Sequence, residues 1–438
     1  MQTSPSPPRP KIAQWFLPLL IILFLVFPFG YAAIIGEAGT GSVSLNQISS
    51  AIGSVACTEG LTPVVTILLF EIALFLLVVV SAFSMEKRAS WVFNLLREQG
   101  IPYTLLLLLV TTPFIIAWQT DSSVCERGTS YFWQSIFAET FILAALAISY
   151  NLIFGFAGVI SFGHSAFFGV GAYAVGLLML HLEWPIGAAI LATLIISISM
   201  GLLVSVIALR IHGLYFAIFT LVFAEIFFVL AQNRIMAEIT GAEDGFTFNV
   251  PDWINATKNR LAFYYLALVF LIFCYLLVKR LVNSPTGRIM NAIRDNEDRA
   301  LMLGYNTFVY KTLAIVLAGV MASGAGILRA LLNKGASPNV LGVSFTIDPL
   351  IMTLVGGAGT FSGPVIGAFL IRLVEQSLRD TILTLGTLQL NIGEYWFLIL
   401  GLLFILMVIV FPSGIVGTVQ SRWQRWQARR RKKHNKTS

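Results

Sequence analysis

The sequence predicts an all-α, polytopic membrane protein, and three observations indicate this. Of the 438 residues, 57% are hydrophobic and only 11% are charged, whereas soluble domains carry about a quarter of their residues as charges. The mean hydropathy is +0.84. Apolar runs of about twenty residues, the length that crosses a hydrocarbon core, recur along the chain, and those at 185–209 and 261–278 hold no charge. Strands of a membrane barrel alternate in polarity and cross in about ten residues, so these runs are helices, and a soluble multidomain enzyme is excluded.

The apolar runs predict about 10–11 transmembrane helices, some of them interrupted by glycine. The first run is longer than the apolar core of a signal peptide, and no small-residue cleavage site follows it. We therefore expect it to be a retained helix. In chain order the runs are 13–35, 62–84, 101–119, 132–154, 163–180, 185–209, 214–231, 261–278, 312–332, 349–371 and 395–412.

Basic residues indicate the orientation of these helices, because translocated loops are depleted in Lys and Arg. The N-terminal segment, the 85–100 loop, the 279–311 loop and the 416–438 tail are basic, which predicts cytoplasmic N- and C-termini. Three full crossings between the 279–311 loop and the tail would place the tail outside. One run must therefore break, re-enter or divide, and we expect it to be 349–371. The net charge of +7 thus reflects topology and lipid binding by the tail, and we expect no nucleic acid partner.

Two glycine-rich interruptions, Gly155 to His164 and Gly356 to Pro364, occur in different parts of the chain. Such paired interruptions indicate the substrate region of a transporter, and the alternative is close helix packing through small residues. Glu71, Glu139 and Glu225 lie within apolar runs and must face protein or water. His164 has a competing interpretation as a hydrogen-bonded structural residue. The predicted substrate pathway comprises Gly158, Ser161, His164, Glu225, Gly357, Gly359 and Thr360.

The 279–311 loop is longer and more patterned than most loops between membrane helices. Its segment 284–287, Ser-Pro-Thr-Gly, is a turn signal ahead of an amphipathic stretch. Asn296 is a suitable N-cap for a second short helix, whose first turn holds Glu297 and Asp298 and which Gly304 can close. Two short amphipathic helices predict a docking surface for another protein, and the alternative is a solvated charged loop.

Four blocks of the sequence resemble, in order, the LivM-type permeases of ABC importers. That family serves branched-chain amino acid uptake and has a urea-transporting branch. The blocks are Tyr150 to Tyr173, Gly213 to Glu225, Gly287 to Tyr305 and Gly356 to Gly367. The resemblance implies a permease core at 131–415 with a coupling loop at 279–311, about three extra transmembrane helices in 1–130, and a basic tail at 416–438.

The resemblance also implies partners. These are a LivH-like second permease, two ABC ATPase subunits and a periplasmic substrate-binding protein, in a bacterial cytoplasmic (inner) membrane. ATP would bind to the ATPase subunits, so this chain would be a transport subunit without a cofactor of its own. It contains no GxxxxGK[ST] motif. The cargo would be a branched-chain or other neutral amino acid. The ATPase-coupling role falls on Arg288, Arg294, Glu297, Asp298, Arg299 and Gly304.

Three alternatives remain open at this point. A urea importer would share every feature except the cargo, an ion-coupled secondary transporter would fit the paired interruptions and the glutamates within the runs, and a membrane scaffold would move no solute. Cysteine chemistry adds one further expectation. Cys57 and Cys125 fall in loops predicted to lie outside, where oxidising surroundings would permit a disulfide between them. No set of His, Cys or carboxylate residues has metal-ligand spacing.

Overall fold

The computed structural model describes residues 109–117, 128–208, 210–211, 213–379, 382–385, 388–391, 396–411 and 414–418. The chain divides into two compact units, one of residues 1–136 and 252–265 and the other of residues 137–251 and 266–438. Cys57, Cys125 and Glu71 lie outside the described residues, as do most of the N-terminal segment and of the tail. The predictions made for them therefore stay predictions.

Helices form most of the described chain, after a helical segment at 109–117. They are α1 (Thr129–Asn151), α2 (His164–His181), α3 (Ile186–Ala208), α4 (Leu214–Gln232), α5 (Arg260–Val282), α6 (Pro285–Asp295), α7 (Glu297–Met302), α8 (Thr307–Asn333), α9 (Ser344–Gly356), α10 (Gly363–Arg379) and α11 (Trp396–Val410). A π-helical turn, Leu152–Phe156, extends α1. Single helical turns occupy Arg234–Met236, Ala237–Thr240, Ala242–Asp244, Asp252–Ile254 and Pro338–Leu341.

Two short antiparallel ladders lie in the connections. Strand β1 (Phe246–Thr247) pairs with β2 (Gly335–Ala336), with Phe246 opposite Ala336. Strand β3 (Ile382–Leu385) pairs with β4 (Leu388–Asn391), with Ile382 opposite Asn391. Both ladders join ends of helices, so they organise loops and add no sheet layer to the described fold.

Arg260 organises the described part of the smaller unit. Its guanidinium donates to the Ser135 Oγ at 2.9 Å and to the Tyr131 hydroxyl at 3.1 Å. The guanidinium carbon also lies 4.4 Å from the centre of the Tyr131 ring, a cation–π distance. The Tyr265 hydroxyl donates to the Val110 carbonyl at 2.9 Å. These contacts hold the first turn of α5 against the start of α1 and the 109–117 segment.

Small residues let α2 and α8 pack closely in the larger unit. A methyl group on Gly171 of α2 would overlap the Ser323 backbone of α8, and one on Gly326 of α8 would overlap the Phe168 backbone of α2. Membrane helices associate through such close backbone contacts because lipid provides no hydrophobic driving force between them. Helix α8 also packs against α3, so it is the helix around which this unit is built.

Within the described residues, six helices are long and apolar enough to span a membrane, namely α1 with its π turn, α2, α3, α4, α5 and α8. They coincide within a few residues with the predicted runs from 132–154 to 312–332, which confirms the all-α polytopic fold. The run 349–371 divides, as expected, into α9 and α10. A methyl group on Gly367 of α10 would meet the Gly356 nitrogen of α9 at 3.0 Å, so the two legs run side by side. In the described part of the chain, helices α8 to α11 follow α7, and the side of the membrane on which the tail lies stays a prediction.

Apolar side chains cover the outer faces of α3 and α4. On α3 the exposed residues include Leu191, Ile195, Leu202 and Val206, and on α4 they include Ile218, Val222, Ile226 and Val229. Such surfaces are stable against lipid or another membrane protein but not against water. The described chain is therefore a multi-pass membrane protein.

Candidate functional site

The first interruption begins where α1 widens into its π turn. The Ala157 N–H donates to the Leu152 carbonyl at 3.1 Å, and the Val159 N–H donates to the Ile153 carbonyl at 3.0 Å. Both bonds span more residues than an α-helical bond, and single π turns are frequent at functional sites. Gly158 has a φ of +72°, which favours glycine and ends the helix.

The second interruption is the turn between α9 and α10. Gly357 has a φ of +123° and Gly359 a φ of +74°. The Thr360 hydroxyl donates to the Gly357 carbonyl at 2.7 Å and accepts from the Gly363 N–H at 3.1 Å, at the first residue of α10. Thr360 therefore fixes the turn from inside, and the glycines supply the backbone conformations that it requires.

Asn151, the last residue of α1, binds the two interruptions together. Its Oδ1 accepts from the Gly359 N–H at 2.9 Å, and its Nδ2 donates to the Thr360 carbonyl at 2.9 Å. The rings of Phe156 and Phe361 stack with their centroids 5.4 Å apart. Asn151 is only 1% exposed, and leaving one buried polar group without its partner costs about 1–3 kcal/mol. The two predicted interruptions thus form one site.

The 279–311 loop contains two helices, as predicted. The Ser284 Oγ accepts from the Gly287 N–H at 3.3 Å and caps α6. The Asn296 Oδ1 accepts from the Arg299 N–H at 2.8 Å and caps α7. Gly304 has a φ of +85° directly after α7, consistent with its predicted role of ending that helix.

Helix α6 packs within the larger unit, close to the first interruption. Met290 is 1% exposed and packs in an apolar cluster with Ala157, Ala314 and Tyr310. Arg294 donates from its Nη1 to the Gly155 carbonyl in the π turn, and its stem lies against Gly158. Arg294 was predicted as an ATPase-coupling residue, a role that stays a prediction, and the structure places its Nη1 on the first interruption.

The other predicted coupling residues lie on α6 and α7. Arg288, Asp298 and Arg299 are exposed. The Glu297 Oε1 lies 2.6 Å from the Lys311 Nζ, so Glu297 connects α7 to the first turns of α8. No finding tests their role in coupling, which stays a prediction.

Ser161 lies within the first interruption, and His164 ends it as the first residue of α2. The His164 ring is fully buried, with its Nε2 2.8 Å from the Ser149 Oγ, and it packs edge-on against Tyr150 with the ring centroids 5.4 Å apart. These contacts favour the structural interpretation of His164. Ser161 lines a small recess that Thr220 of α4 also lines. A substrate contact by either predicted residue stays a prediction.

Two glutamates within spanning helices differ in their surroundings. Glu139 of α1 pairs with Arg329 of α8, and its Oε2 lies 2.6 Å from the Arg372 Nη2 of α10. Arg372 in turn lies 2.6 Å from the Glu375 Oε2. Glu139 therefore faces protein, as its position within an apolar run requires. Glu225 is half-buried on α4, next in sequence to the exposed Ile226.

Sequence reasoning missed Asn151, Lys311 and the arginine partners of Glu139. A signal for Asn151 was present, because an amide side chain at the end of an apolar run, four residues before Gly155, needs a polar partner inside the protein. No comparable signal indicated Arg329 or Arg372, because both lie far along the chain from Glu139. Lys311 lies in the same loop as its partner Glu297, but neither residue type alone indicated the pair.

Comparison with known proteins identifies the family. The sequence model of the family described as "Branched-chain amino acid transport system / permease component" matches residues 133–408. Those residues include both interruptions, α6 and α7. The chain belongs to this family. No solved structure matches the chain.

Relatives of this permease carry the names LivM and LivH. The "High-affinity branched-chain amino acid transport system permease protein LivM" of Salmonella typhimurium is 26% identical over 338 residues, 71% of this chain and 73% of the relative. The "Probable branched-chain amino acid transport permease protein LivM" of Methanocaldococcus jannaschii is 25% identical over 312 residues, 62% of this chain and 89% of the relative. LivH of Salmonella typhimurium is 23% identical over 311 residues, 66% of this chain and 96% of the relative.

Membership confirms the resemblance seen in the sequence and makes the chain a transport permease. It supports branched-chain amino acid transport, and it gives no support to the urea importer or to the ion-coupled transporter. The match begins at residue 133, within α1, close to the start of the predicted permease core at 131. The division into an N-terminal segment, core and tail stays a prediction.

Proposed function

We propose that the chain is the transmembrane permease subunit of an ABC importer that carries branched-chain or other neutral amino acids into a bacterium. The observation that carries the proposal is membership of the branched-chain amino acid permease family over residues 133–408. The partners are a LivH-like permease, two ATPase subunits that bind the ATP, and a periplasmic binding protein. Both termini lie in the cytoplasm, as the basic loops require.

The ATPase subunits dock on α7. Leu301, Met302 and Leu303 are 50%, 88% and 71% exposed, although the loop around them is charged. Exposed apolar side chains rimmed by polar residues are typical of protein interaction sites. Ala300 of the same helix is buried and holds α7 to the bundle, while Asp298 and Arg299 border the apolar surface. The arrangement supports a docking surface that is apolar at its centre and charged at its rim.

The substrate path follows the two interruptions and α4. Helices that end and restart within a bundle can change their angle, provided that other groups satisfy the freed backbone atoms, and Asn151 does so here. Glu225 supports a path along α4, because a carboxylate at membrane depth needs a cationic partner and the ammonium group of an amino acid offers one. Thr220 and Ser161 supply hydroxyl groups beside the same helix.

Affinity purification of the tagged protein from its own cells in mild detergent, followed by mass spectrometry, tests the proposal. We expect an ATPase with a P-loop and a second, similar permease to co-purify. Unlabelled leucine should inhibit the uptake of radiolabelled leucine, and urea should not. Uptake that persists without an ATPase and stops on addition of an uncoupler would overturn the proposal in favour of an ion-coupled transporter.

A further inference from the structure

Arg294 contacts both interruptions with one side chain. Its Nη1 donates to the Gly155 carbonyl in the π turn of the first interruption. In the second interruption, a methyl group placed on Gly359 would lie 2.8 Å from the same Nη1 and 3.0 Å from the Gly155 carbonyl oxygen. The guanidinium therefore lies against the Gly359 backbone, and a side chain at position 359 would displace it.

The contact with Gly155 has a physical reason. Carbonyl groups in the last turn of a helix have no partner within the helix, and the helix dipole makes that end negative. A guanidinium supplies both hydrogen-bond donors and positive charge, so Arg294 stabilises the end of α1 at the position where the helix breaks. The stem of Arg294 adds a steric contact, because Gly158 leaves room for its Cγ and Cβ.

A single residue, Asn296, joins α6 to α7. The Asn296 N–H donates to the Ala292 carbonyl at 3.0 Å and ends α6, and the Asn296 Oδ1 accepts from the Arg299 N–H at 2.8 Å and begins α7. One residue thus ends α6 and begins α7, and no loop separates the two helices. Arg294 lies two residues before this junction, in the last turn of α6.

We propose that Arg294 is a positioning residue that transmits the movement of α6 and α7 to both interruptions, so that ATPase closure changes the angle of α1 and of the α9–α10 turn together. The inference rests on the proposed function. The inference assigns ATPase docking to α7 and transmission of the movement to Arg294. It assigns neither role to the other exposed residues of α6.

The test compares three measurements in Arg294→Gln and in the wild-type complex. We expect the amount of co-purifying ATPase and the basal ATP hydrolysis of the purified complex to stay within twofold. Leucine uptake by cells should fall at least tenfold, because hydrolysis continues without moving the interrupted helices. Leucine uptake within twofold of wild type would overturn the inference. Loss of the co-purifying ATPase would also overturn it, because Arg294 would then act in docking.

Two matched variants control for charge and for local contacts. Arg210→Gln removes an exposed arginine from the connection between α3 and α4 and should leave all three measurements unchanged. Asp295→Asn removes the carboxylate that lies 3.5 Å from the Arg294 Nη2 while keeping the bond to Gly155, and uptake should again be unchanged. A loss of uptake in Asp295→Asn equal to that in Arg294→Gln would assign the effect to the exposed ion pair and overturn the inference.

Two further results keep failure of the inference separate from failure of the proposed function. If wild-type protein co-purifies with no ATPase, the proposed function fails before Arg294 is tested. Should Arg294→Gln not accumulate in the membrane, Arg294→Lys replaces it, because it keeps the positive charge at the end of α1 and loses the forked donor. We then expect a smaller loss of uptake with unchanged hydrolysis, and unchanged uptake would overturn the inference.

Discussion

Helices α6 and α7 are neighbours in the same loop, yet they differ in burial. Helix α6 buries Met290 and Ile293, which are 1% and 3% exposed, against the membrane helices. At the end of α7, Met302 and the following residue Leu303 are 88% and 71% exposed. Both helices are capped by a side chain at their first turn, so the difference lies in packing rather than in helix formation.

One loop thus contains a buried inner helix, α6, and an exposed outer helix, α7, which can serve separate tasks. Apolar residues alone did not distinguish them, because both stretches are amphipathic in sequence. The inner helix contacts the interruptions through Arg294, and the outer helix offers an apolar surface to a partner. Changes on the outer helix should affect assembly, whereas changes on the inner helix should affect transport after assembly.

The largest effect is expected from a double substitution at the end of α7, Met302→Asp with Leu303→Asp. We expect complete loss of the co-purifying ATPase and of leucine uptake, because two carboxylates would replace the centre of an apolar docking surface. The melting temperature of the purified permease should not change, since substitutions of exposed residues usually alter stability by less than about 0.5 kcal/mol.

Ile235→Asp is the matched control for this double substitution, because Ile235 is 85% exposed in the connection after α4, predicted to lie on the other side of the membrane. It should keep the ATPase. Retention of the ATPase by the α7 variant would contradict the assignment of docking to that helix.

The next largest effect is expected at Asn151, which joins the two interruptions. Asn151→Leu removes two buried hydrogen bonds between the interruptions and should destabilise the permease by about 2–4 kcal/mol, with uptake lost and the exposed face of α7 intact. Thr353→Val is the comparison, because the Thr353 hydroxyl makes a single bond between α9 and α1, to the Ala147 carbonyl at 3.2 Å. It should cost about 1 kcal/mol. Equal melting temperatures for the two variants would contradict the role of Asn151 in joining the interruptions.

Much of this organisation could be predicted from local sequence. The spans from α1 to α5 and α8 follow from apolar runs of sufficient length, and the division of 349–371 follows from its glycines and from the basic loops. The caps Ser284 and Asn296 follow from their side-chain chemistry. Each of these features depends on residues close together in the chain.

The rest depends on contacts between distant residues, which a single sequence does not reveal. Arg294 and Gly155 are 139 residues apart, and Asn151 and Thr360 are 209 residues apart. Arg294 was assigned to ATPase coupling because its loop resembles that of LivM-type permeases, and the resemblance does not reveal a contact with Gly155. Only the fold shows that the Arg294 Nη1 reaches the Gly155 carbonyl, although the side chain is 40% exposed, and that Glu297 pairs with Lys311.

A smaller effect on uptake is expected from a substitution in the first interruption, at Gly158. Gly158→Ala places a methyl group 2.6 Å from the Arg294 Cγ and also strains a backbone with positive φ, so we expect uptake to fall about tenfold with the ATPase retained. Gly213→Ala separates the two causes. Its φ is +64°, but nothing in the described part of the chain lies within 4 Å of the added methyl group. An equal loss of uptake in both variants would attribute the effect to backbone strain and not to Arg294.

The smallest effect is expected for the ion pair that connects α7 to α8. Glu297→Gln removes the carboxylate 2.6 Å from the Lys311 Nζ, in a pair whose side chains are 31% and 16% exposed. Because partly exposed pairs contribute about 0.5–1 kcal/mol, uptake should fall about twofold to fivefold while some ATPase is retained. Combining Glu297→Gln with Lys311→Met should cost no more than either change alone, since each removes the same pair. Additive losses would instead indicate that Glu297 contacts the ATPase directly, and docking would then extend from the apolar side chains of α7 to its first turn.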